Sequence, residues 1–146
     1  MPSFEVQDQD GNTVKSEDFI GKGRKTIIYF YPKDNTSGCT AEACSFRDNL
    51  ERLDEAGMAV VGVSVDSDSQ HRKFKEKHGL NFPLIADTDH QLVELFGVWQ
   101  EKSMYGRKYM GTVRTTFIID EQGVVKHIIE KVNTKDSANQ ILELGL

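Results

Sequence analysis

Apolar residues along the chain occur in two patterns, short continuous runs and runs at helical spacing. Residues 26–31 and 59–65 are nearly continuous and rich in β-branched and aromatic side chains, as is typical of strands buried on both faces. Residues 82–86 predict a shorter strand of the same kind. Strands that alternate with helical stretches indicate an α/β domain.

The first helix is predicted over residues 39–56, after the first buried strand and a polar loop. Its apolar positions recur every three or four residues, and Gly57 is suited to end it. These positions are Ala43, Phe46, Leu50 and Leu53. A final helix near the C-terminus would place Ala138, Ile141 and Leu142 against the sheet in the same way.

Two further helices are predicted from capping-box patterns. Ser67 with Gln70 opens a helix that Gly79 would close. Thr88 with Gln91 repeats the pattern at the start of a shorter helix. We therefore expect both helices to begin with a side-chain cap.

Turn residues predict a hairpin near each end of the chain. Residues 9–12 form a turn signal between Val6 and Val14, and strands at residues 115–120 and 124–129 flank a Glu-Gln-Gly turn. Because a short turn joins antiparallel strands, the sheet must be mixed. The order of all these elements predicts a thioredoxin-like fold, a central mixed sheet flanked by helices.

The composition narrows the class of protein. With 146 residues, 38% of them hydrophobic and 28% charged, the chain suits one domain over residues 1–146. The net charge is −5, and no run of Lys or Arg is long enough to follow a phosphate backbone. We therefore expect no nucleic-acid partner.

Nothing in the sequence indicates a membrane or an exported protein. The apolar runs are too short to span a bilayer, and the first residues show neither a basic leader nor an apolar signal core. We expect a cytoplasmic protein without a membrane partner. No long apolar stripe favours an obligate oligomer, so the expected state is a monomer, with a weak dimer as the alternative.

Cysteine usage directs attention to redox chemistry. The two cysteines are too few for a disulfide framework, and a close pair in a reducing compartment is more often reactive than structural. A metal site would need more ligands, and the histidines are scattered, so we expect no metal or cofactor and interpret each histidine as a surface or capping residue. The histidines are His71, His78, His90 and His127.

Cys39 lies where a glycine-containing loop enters the first helix. Unpaired backbone N–H groups and the positive end of the helix dipole favour an anion there, and the thiolate is the reactive form of cysteine. The alternative is an inert core cysteine, with Cys44 as a chance surface residue. That alternative does not explain a lone exposed thiol five residues after a buried one.

Helix geometry separates the two cysteines. Cys39 shares the apolar face of the helix, whereas Cys44 shares a side with Arg47 and Asp48. At five residues apart their directions differ by roughly 140°, and their Cα atoms would be about 8.5 Å apart on an intact helix. A disulfide usually needs less than about 7 Å between Cα atoms. The pair can therefore bond only if the first helical turns unwind.

The residues around Cys39 resemble a known family. Pro32, Thr36 and Cys39 fit the peroxiredoxin active-site pattern Pro-x-x-x-Thr/Ser-x-x-Cys. Residues 38–48, Gly-Cys-Thr-Ala-Glu-Ala-Cys-Ser-Phe-Arg-Asp, are similar to the bacterioferritin comigratory protein, or peroxiredoxin Q, branch. The similarity continues through residues 81–84, 96–99 and 111–120 and thus covers nearly the whole chain.

The resemblance implies a thiol peroxidase that reduces hydrogen peroxide and organic hydroperoxides in antioxidant defence. Cys39 would be the peroxidatic thiolate, which takes an oxygen from the peroxide and becomes a sulfenic acid. Cys44 would be the resolving thiol that closes a disulfide within the chain. Thioredoxin or a similar dithiol donor would reopen it.

The resemblance also assigns helper residues. The Thr36 hydroxyl would lie near the sulfur and the peroxide, Arg114 would stabilise the thiolate and the developing negative charge, and Pro32 would shape the loop and limit water access. Each also has an ordinary interpretation: Pro32 as a strand end, Thr36 as a helix cap and Arg114 as a surface residue. Their joint occurrence with Cys39 favours the functional roles.

Two details extend the resemblance. Glu42 and Arg47 fit the pattern of the branch and would form a charge pair that steadies the first helical turn, with a solvated Glu42 as the alternative.

Relatives carry a short segment before the Pro-x-Phe stretch, whereas residues 1–4 here begin almost within it. The edge hairpin is therefore expected to be incomplete.

Two other functions compete with a peroxidase. A thiol-disulfide oxidoreductase acting on proteins shares this fold, but that class normally uses Cys-x-x-Cys, and the five-residue offset argues against it. A redox sensor or holdase would use the unwinding as a signal to a partner. Peroxide consumption with turnover distinguishes the three functions.

Overall fold

The computed structural model describes residues 4–18 and 23–144. Its strands are β1 (Glu5–Asp8), β2 (Thr13–Lys15), β3 (Lys25–Phe30), β4 (Met58–Ser64), β5 (Leu84–Ala86), β6 (Trp99–Met104), β7 (Arg107–Thr112), β8 (Thr115–Ile119) and β9 (Val125–Ile129). Its helices are α1 (Ser37–Asp48), α2 (Leu50–Glu55), α3 (Asp68–His78), α4 (Gln91–Leu95) and α5 (Ser137–Leu142). The elements thus follow the predicted α/β order.

The described strands form a seven-stranded mixed sheet in the order β2-β1-β5-β4-β3-β8-β9. Strands β3, β4 and β5 run parallel, whereas β8 is antiparallel to β3 and β9 to β8. Strand β3 lies inside the sheet between β4 and β8, and from residue 26 onward its side chains are buried. The predicted buried strands and the mixed sheet are confirmed.

Both faces of the sheet are covered, which explains the continuous apolar runs. Ile27 and Tyr29 of β3 belong to a cluster on one face, and Ile28 and Phe30 belong to a cluster on the other. The first cluster includes residues of α1, α2, α3 and α5, namely Phe46, Leu53, Phe74 and Ile141. The second includes Leu92 and Val93 of α4 with Phe4 and Val6 of the N-terminal segment.

The predicted helix over residues 39–56 is two helices. Helix α1 begins two residues earlier than expected, and α2 follows after an interruption at Asn49. The Asn49 side-chain amide donates to the Ser45 carbonyl at 2.9 Å and thus competes with the backbone for a helical acceptor. Gly57 ends α2 with a φ of +78°, as expected.

No described helix is long and apolar enough to cross a membrane.

One predicted capping box is present and the other is not. Ser67 and Gln70 cap α3 reciprocally, and Gly79 closes it in the left-handed conformation. At α4 the Thr88 prediction was wrong. The buried Asp87 carboxylate accepts from the backbone N–H groups of Leu92 at 3.0 Å and Val93 at 2.9 Å instead.

The predicted hairpins are confirmed, and a third was missed. Strands β1 and β2 pair over three residues, and β1 also pairs with β5, so the edge hairpin is formed although residues 1–3 lie outside the described part. Strands β6 and β7 form a separate two-stranded sheet. Their turn, Tyr105-Gly106, has positive φ at both residues, as a tight hairpin turn requires.

Candidate active site

The loop after β3 delivers Cys39 to the start of a helix. Thr36 precedes α1 in an extended conformation, with φ −85° and ψ 154°. Cys39 is the third residue of α1, and its side chain is 1% exposed. First-turn N–H groups lack intrahelical partners and lie at the positive end of the dipole, so they favour a thiolate there. The predicted inward direction of Cys39 is confirmed.

Strand pairing brings Arg114 to this sulfur. Because β8 is antiparallel to β3, with Thr115 opposite Phe30, the residue before β8 lies beside the loop that leaves β3. The Arg114 Nη2 group donates to Cys39 Sγ at 3.2 Å, and Nη1 donates to Glu42 Oε1 at 2.8 Å. A fixed positive charge in contact with the sulfur stabilises the thiolate over the thiol.

Glu42 lies one turn after Cys39 and is fully buried. Besides Arg114, its carboxylate accepts a hydrogen bond from the Ser137 hydroxyl of α5 at 3.3 Å. Burial raises the pKa of Glu42 from 4.5 to about 7, while Arg114 and Ser137 oppose the rise. The expected pair of Glu42 with Arg47 was therefore wrong, and so was a solvated Glu42.

Cys44 lies on the other side of α1 and is half-buried. Its charged neighbour is Arg47, which donates to Asp48 at 2.9 Å and to the His78 carbonyl at 2.6 Å. The hydrogen bond with Asp48 and, to a smaller extent, the nearby Cys44 raise the pKa of Arg47. Both cysteines are free, and the helix that carries them is continuous.

Gly38 has a spatial role that its place in a loop pattern did not reveal. A Cβ added at this position would lie 3.2 Å from Arg114 Nη2. That separation is closer than most real Cβ contacts, so a methyl group would require the guanidinium to move by a few tenths of an ångström. Gly38 thus leaves room for the guanidinium of Arg114 in its present position.

Comparison with known proteins agrees with this geometry. The family model described as AhpC/TSA matches residues 1–128. Peroxiredoxin Bcp of Bacillus subtilis (strain 168) is 46% identical over 142 residues, which is 97% of this chain and 89% of the relative. Peroxiredoxin Bcp of Escherichia coli (strain K12) is 43% identical over 141 residues, with the same coverage. The chain belongs to the AhpC/TSA family.

Solved structures define the branch and the fold of this peroxiredoxin. Xanthomonas campestris bacterioferritin comigratory protein superimposes with a TM-score of 0.88 at 35% identity, over 97% of this chain and 88% of that one. Peroxidoxin BcpB from Mycobacterium tuberculosis gives a TM-score of 0.85 at 31% identity, over 98% and 91%. The predicted thioredoxin-like fold and the Bcp/peroxiredoxin Q resemblance are thus confirmed. The protein is an enzyme, a thiol peroxidase.

The remaining predicted site residues of this peroxiredoxin lie in the loop before α1. Pro32 lies two residues after the end of β3 and is half-buried, while Thr36 is exposed. The Thr36 hydroxyl donates to the Lys33 carbonyl at 2.9 Å, and its own carbonyl accepts from Thr40 N–H at 2.9 Å. Both residues therefore lie in the loop that leads into α1, and the Thr36 hydroxyl is engaged by its own loop.

The hairpin that the sequence analysis missed contributes Lys102 to the surroundings of the site. Burial lowers the pKa of Lys102, the charge of Arg114 lowers it further, and Cys39 opposes both effects. The charges of Arg114 and Cys39 therefore both act on the Lys102 amine. The signal in the sequence was the Tyr105-Gly106 turn, whose flanking strands are too polar to show an apolar face.

One histidine contradicts the expectation that all four are surface or capping residues. His71 of α3 is fully buried, with Nδ1 2.7 Å from Asp34 Oδ2. His71, Asp34 and Asp66 offer ligand atoms within 4.8 Å of one another, the spacing of a metal site. Each of these side chains already has hydrogen-bond partners within the protein. The other three histidines are at least partly exposed.

Proposed function

We propose that Cys39 is the peroxidatic residue of this peroxidase. The observation that carries the proposal is the 3.2 Å contact between Arg114 Nη2 and Cys39 Sγ at the start of α1. The thiolate attacks the distal oxygen of ROOH, the O–O bond breaks, and RO⁻ leaves and takes a proton to become ROH. Cys39 is oxidised to the sulfenic acid, and the peroxide is reduced.

Arg114 acts on both ends of this step. Its positive charge stabilises the thiolate before the attack and the negative charge that develops on the departing oxygen. The buried Glu42 holds the guanidinium from the other side and thus fixes its direction. Thr36 orients the peroxide with its hydroxyl, and Pro32 shapes the loop and limits water at the sulfur.

We propose that Cys44 is the resolving residue. Its thiol attacks the Cys39 sulfenic acid, an S–S bond forms, and water leaves. Because the two side chains diverge by roughly 140° on an intact helix, the first turns of α1 must unwind for this step. Cys44 is only half-buried, so its own side chain leaves little packing behind when it moves toward the oxidised sulfur.

An external dithiol closes the cycle. Thioredoxin, or a donor of the same chemistry, reduces the Cys39–Cys44 disulfide by thiol-disulfide exchange and is itself oxidised. We propose both hydrogen peroxide and organic hydroperoxides as substrates, which makes the protein part of antioxidant defence. The Xanthomonas campestris relative is described by its alkyl peroxide reduction activity, which supports the second class.

We propose a cytoplasmic monomer that covers residues 1–146 as one domain. A reactive cysteine pair without structural disulfides suits a reducing compartment, where thioredoxin is available. Sedimentation at micromolar concentration, in both redox states, measures the molar mass and tests the monomeric state. Reversible association into a weak dimer would contradict it.

A coupled assay tests the proposed cycle. The protein is mixed with thioredoxin, thioredoxin reductase and NADPH, and hydrogen peroxide or cumene hydroperoxide is added. We expect NADPH to be consumed in proportion to the peroxide, and oxidised protein without donor to contain an internal disulfide by mass spectrometry. Peroxide reduction without such a disulfide would contradict the role of Cys44 and leave that of Cys39.

A further inference from the structure

Beneath the loop that leads to Cys39 lies a buried network of hydrogen bonds centred on His71. The His71 ring is fully buried in α3. Its Nε2 is 2.9 Å from the Ile85 carbonyl oxygen, and its Nδ1 is 2.7 Å from Asp34 Oδ2. None of these groups takes part in the peroxide chemistry described above.

The partners determine where the protons lie. The Ile85 carbonyl can only accept, so Nε2 carries a hydrogen atom. Burial raises the pKa of the Tyr31 phenol well above 10, so the phenol keeps its proton and donates it to Asp34 Oδ1 at 2.6 Å. A proton must also lie between Nδ1 and Asp34 Oδ2, because two lone pairs would otherwise face each other at 2.7 Å. His71 and Asp34 therefore form a buried charge-assisted pair.

A second carboxylate holds the backbone of the same residue. Asp66 Oδ2 accepts from the Asp34 N–H at 2.8 Å and from the Ser64 hydroxyl at 2.7 Å. Asp34 and Asp66 are both less than a tenth exposed. Asp34 is thus held by its backbone to the end of β4 and by its side chain to α3.

Asp34 lies between Pro32 and Thr36, the two loop residues proposed to surround the peroxide. After it come Asn35, which has a φ of +62°, and then α1. The network therefore fixes the point from which the chain turns into the helix of Cys39. In the proposed cycle the first turns of α1 unwind and re-form, and the pinned Asp34 supplies the same starting point each time.

We propose that His71 is a positioning residue for the peroxide step, acting through its hydrogen bond with Asp34 on the loop before Cys39. The inference rests on the proposed role of Cys39. Loss of the bond leaves the Asp34 carboxylate buried without its main partner, and the loop shifts to solvate it.

Two substitutions of His71 separate positioning from stability. Asn places its side-chain N–H group near the position of Nδ1 and preserves a donor to Asp34, whereas Gln reaches the position of Nε2 and preserves a donor to Ile85. Both remove the ring from the core, so both lower Tm. We expect His71→Gln to react with hydrogen peroxide roughly 10- to 100-fold more slowly at Cys39, because small misplacements of reacting groups have effects of this size. His71→Asn should stay within about threefold of the wild type.

The measurement is the second-order rate constant of Cys39 oxidation, obtained by rapid mixing with hydrogen peroxide and quenching with an alkylating reagent. His78→Gln, in the same helix but partly exposed, is the control for loss of a histidine. Equal rates in His71→Gln and His71→Asn, at similar Tm, overturn the positioning role. A slow His71→Gln and a near-normal His71→Asn support it.

A measurement on the wild-type protein tests the same hydrogen bond if a His71 variant does not fold. Nitrogen-15 NMR of histidine-labelled protein reports which ring nitrogens carry protons. We expect a buried ring with a proton on Nε2 and a hydrogen-bonded proton at Nδ1. A buried ring whose Nδ1 shares no proton with Asp34 overturns the inference. The proposed function fails separately, if Cys39→Ser still reduces peroxide, whatever the His71 variants do.

Discussion

The two cysteines share one helix, yet they differ in burial and in the contacts of the neighbouring arginine. Cys39 is almost fully enclosed, contacts the Arg114 guanidinium and has the buried Glu42 behind that contact. Cys44 is half-buried, and its neighbour Arg47 directs its N–H groups to Asp48 and to a backbone carbonyl. A peroxide-reducing sulfur needs a stabilised anion and little water, whereas a resolving sulfur needs freedom to move.

The helix itself is anchored differently at its two ends. Its second half is tied to other elements by backbone contacts: Arg47 donates to the carbonyl of His78, and the Ala138 N–H group donates to Ser45 Oγ at 3.1 Å. The first half contacts Arg114 through Cys39 and Glu42, and Arg114 loses one anionic partner when the Cys39 thiolate is consumed. From this difference we expect α1 to open at its beginning and to remain folded at its end in the proposed cycle.

The largest expected effect is that of replacing each cysteine in turn by serine. Cys39→Ser should abolish peroxide turnover, because no other thiol has an activating cation in contact with it. Cys44→Ser should still oxidise once at the normal rate and then stop at the sulfenic acid. Peroxide consumption and trapping of the sulfenic acid with dimedone distinguish the two variants. If Cys39→Ser still turns over peroxide, Cys39 is not the peroxidatic residue and the two cysteines do not have the roles assigned to them.

The next effect concerns the two arginines. Arg114→Ala should slow the oxidation of Cys39 by roughly 10²–10³, since loss of one charge-stabilising donor typically has this effect. Arg47→Ala, its counterpart beside Cys44, should leave that step unchanged. Rapid mixing of reduced protein with hydrogen peroxide measures both rates. An unchanged rate in Arg114→Ala contradicts the assignment of Arg114.

Oxidation should also distinguish the two halves of the helix. We expect the amides of residues 39–43 to exchange with solvent roughly 10- to 100-fold faster in the disulfide form, because opening the first turns removes local protection. Strand β3 should remain protected in both forms, and Cys44→Ser, which forms no disulfide, should keep its helix. Equal protection of residues 39–44 in both forms, with the disulfide present, would mean that the helix need not unwind.

The smallest expected effect is a pH dependence specific to the Cys39 side. Burial raises the pKa of Glu42 in the folded protein to about 7, above its ordinary value of 4.5, so the native state holds the proton more tightly than the unfolded chain. The free energy of unfolding should therefore fall as pH rises from about 4.5 through about 7. Glu42→Gln should remove roughly 1–3 kcal/mol of this decrease.

Urea titrations across that pH range test the role of Glu42. The matched control is Glu51→Gln, which removes an exposed carboxylate of α2 and should keep the wild-type slope. A slope that persists in Glu42→Gln would mean that another buried group titrates in this window.

Local features of this protein followed from its sequence alone. Continuous apolar runs identified β3 and β4, because a strand covered on both faces has no polar side to show. The Ser67 capping box and Gly79 marked both ends of α3, since these caps involve neighbours within a few residues. Helical periodicity placed Cys39 inward and Cys44 outward, and the active-site motif named Arg114 through its resemblance to a family.

The tertiary structure decided the partners. Arg114 and Glu42 are 72 residues apart, and His71 and Asp34 are 37 apart, so only the order and direction of the strands brings each pair together. The capping prediction at α4 was wrong for the same reason. Asp87 follows directly after β5, and this position brings its carboxylate, rather than the Thr88 side chain, to the start of α4. Spacing along a chain specifies which face a side chain occupies, whereas what it meets on that face depends on the packing of distant segments.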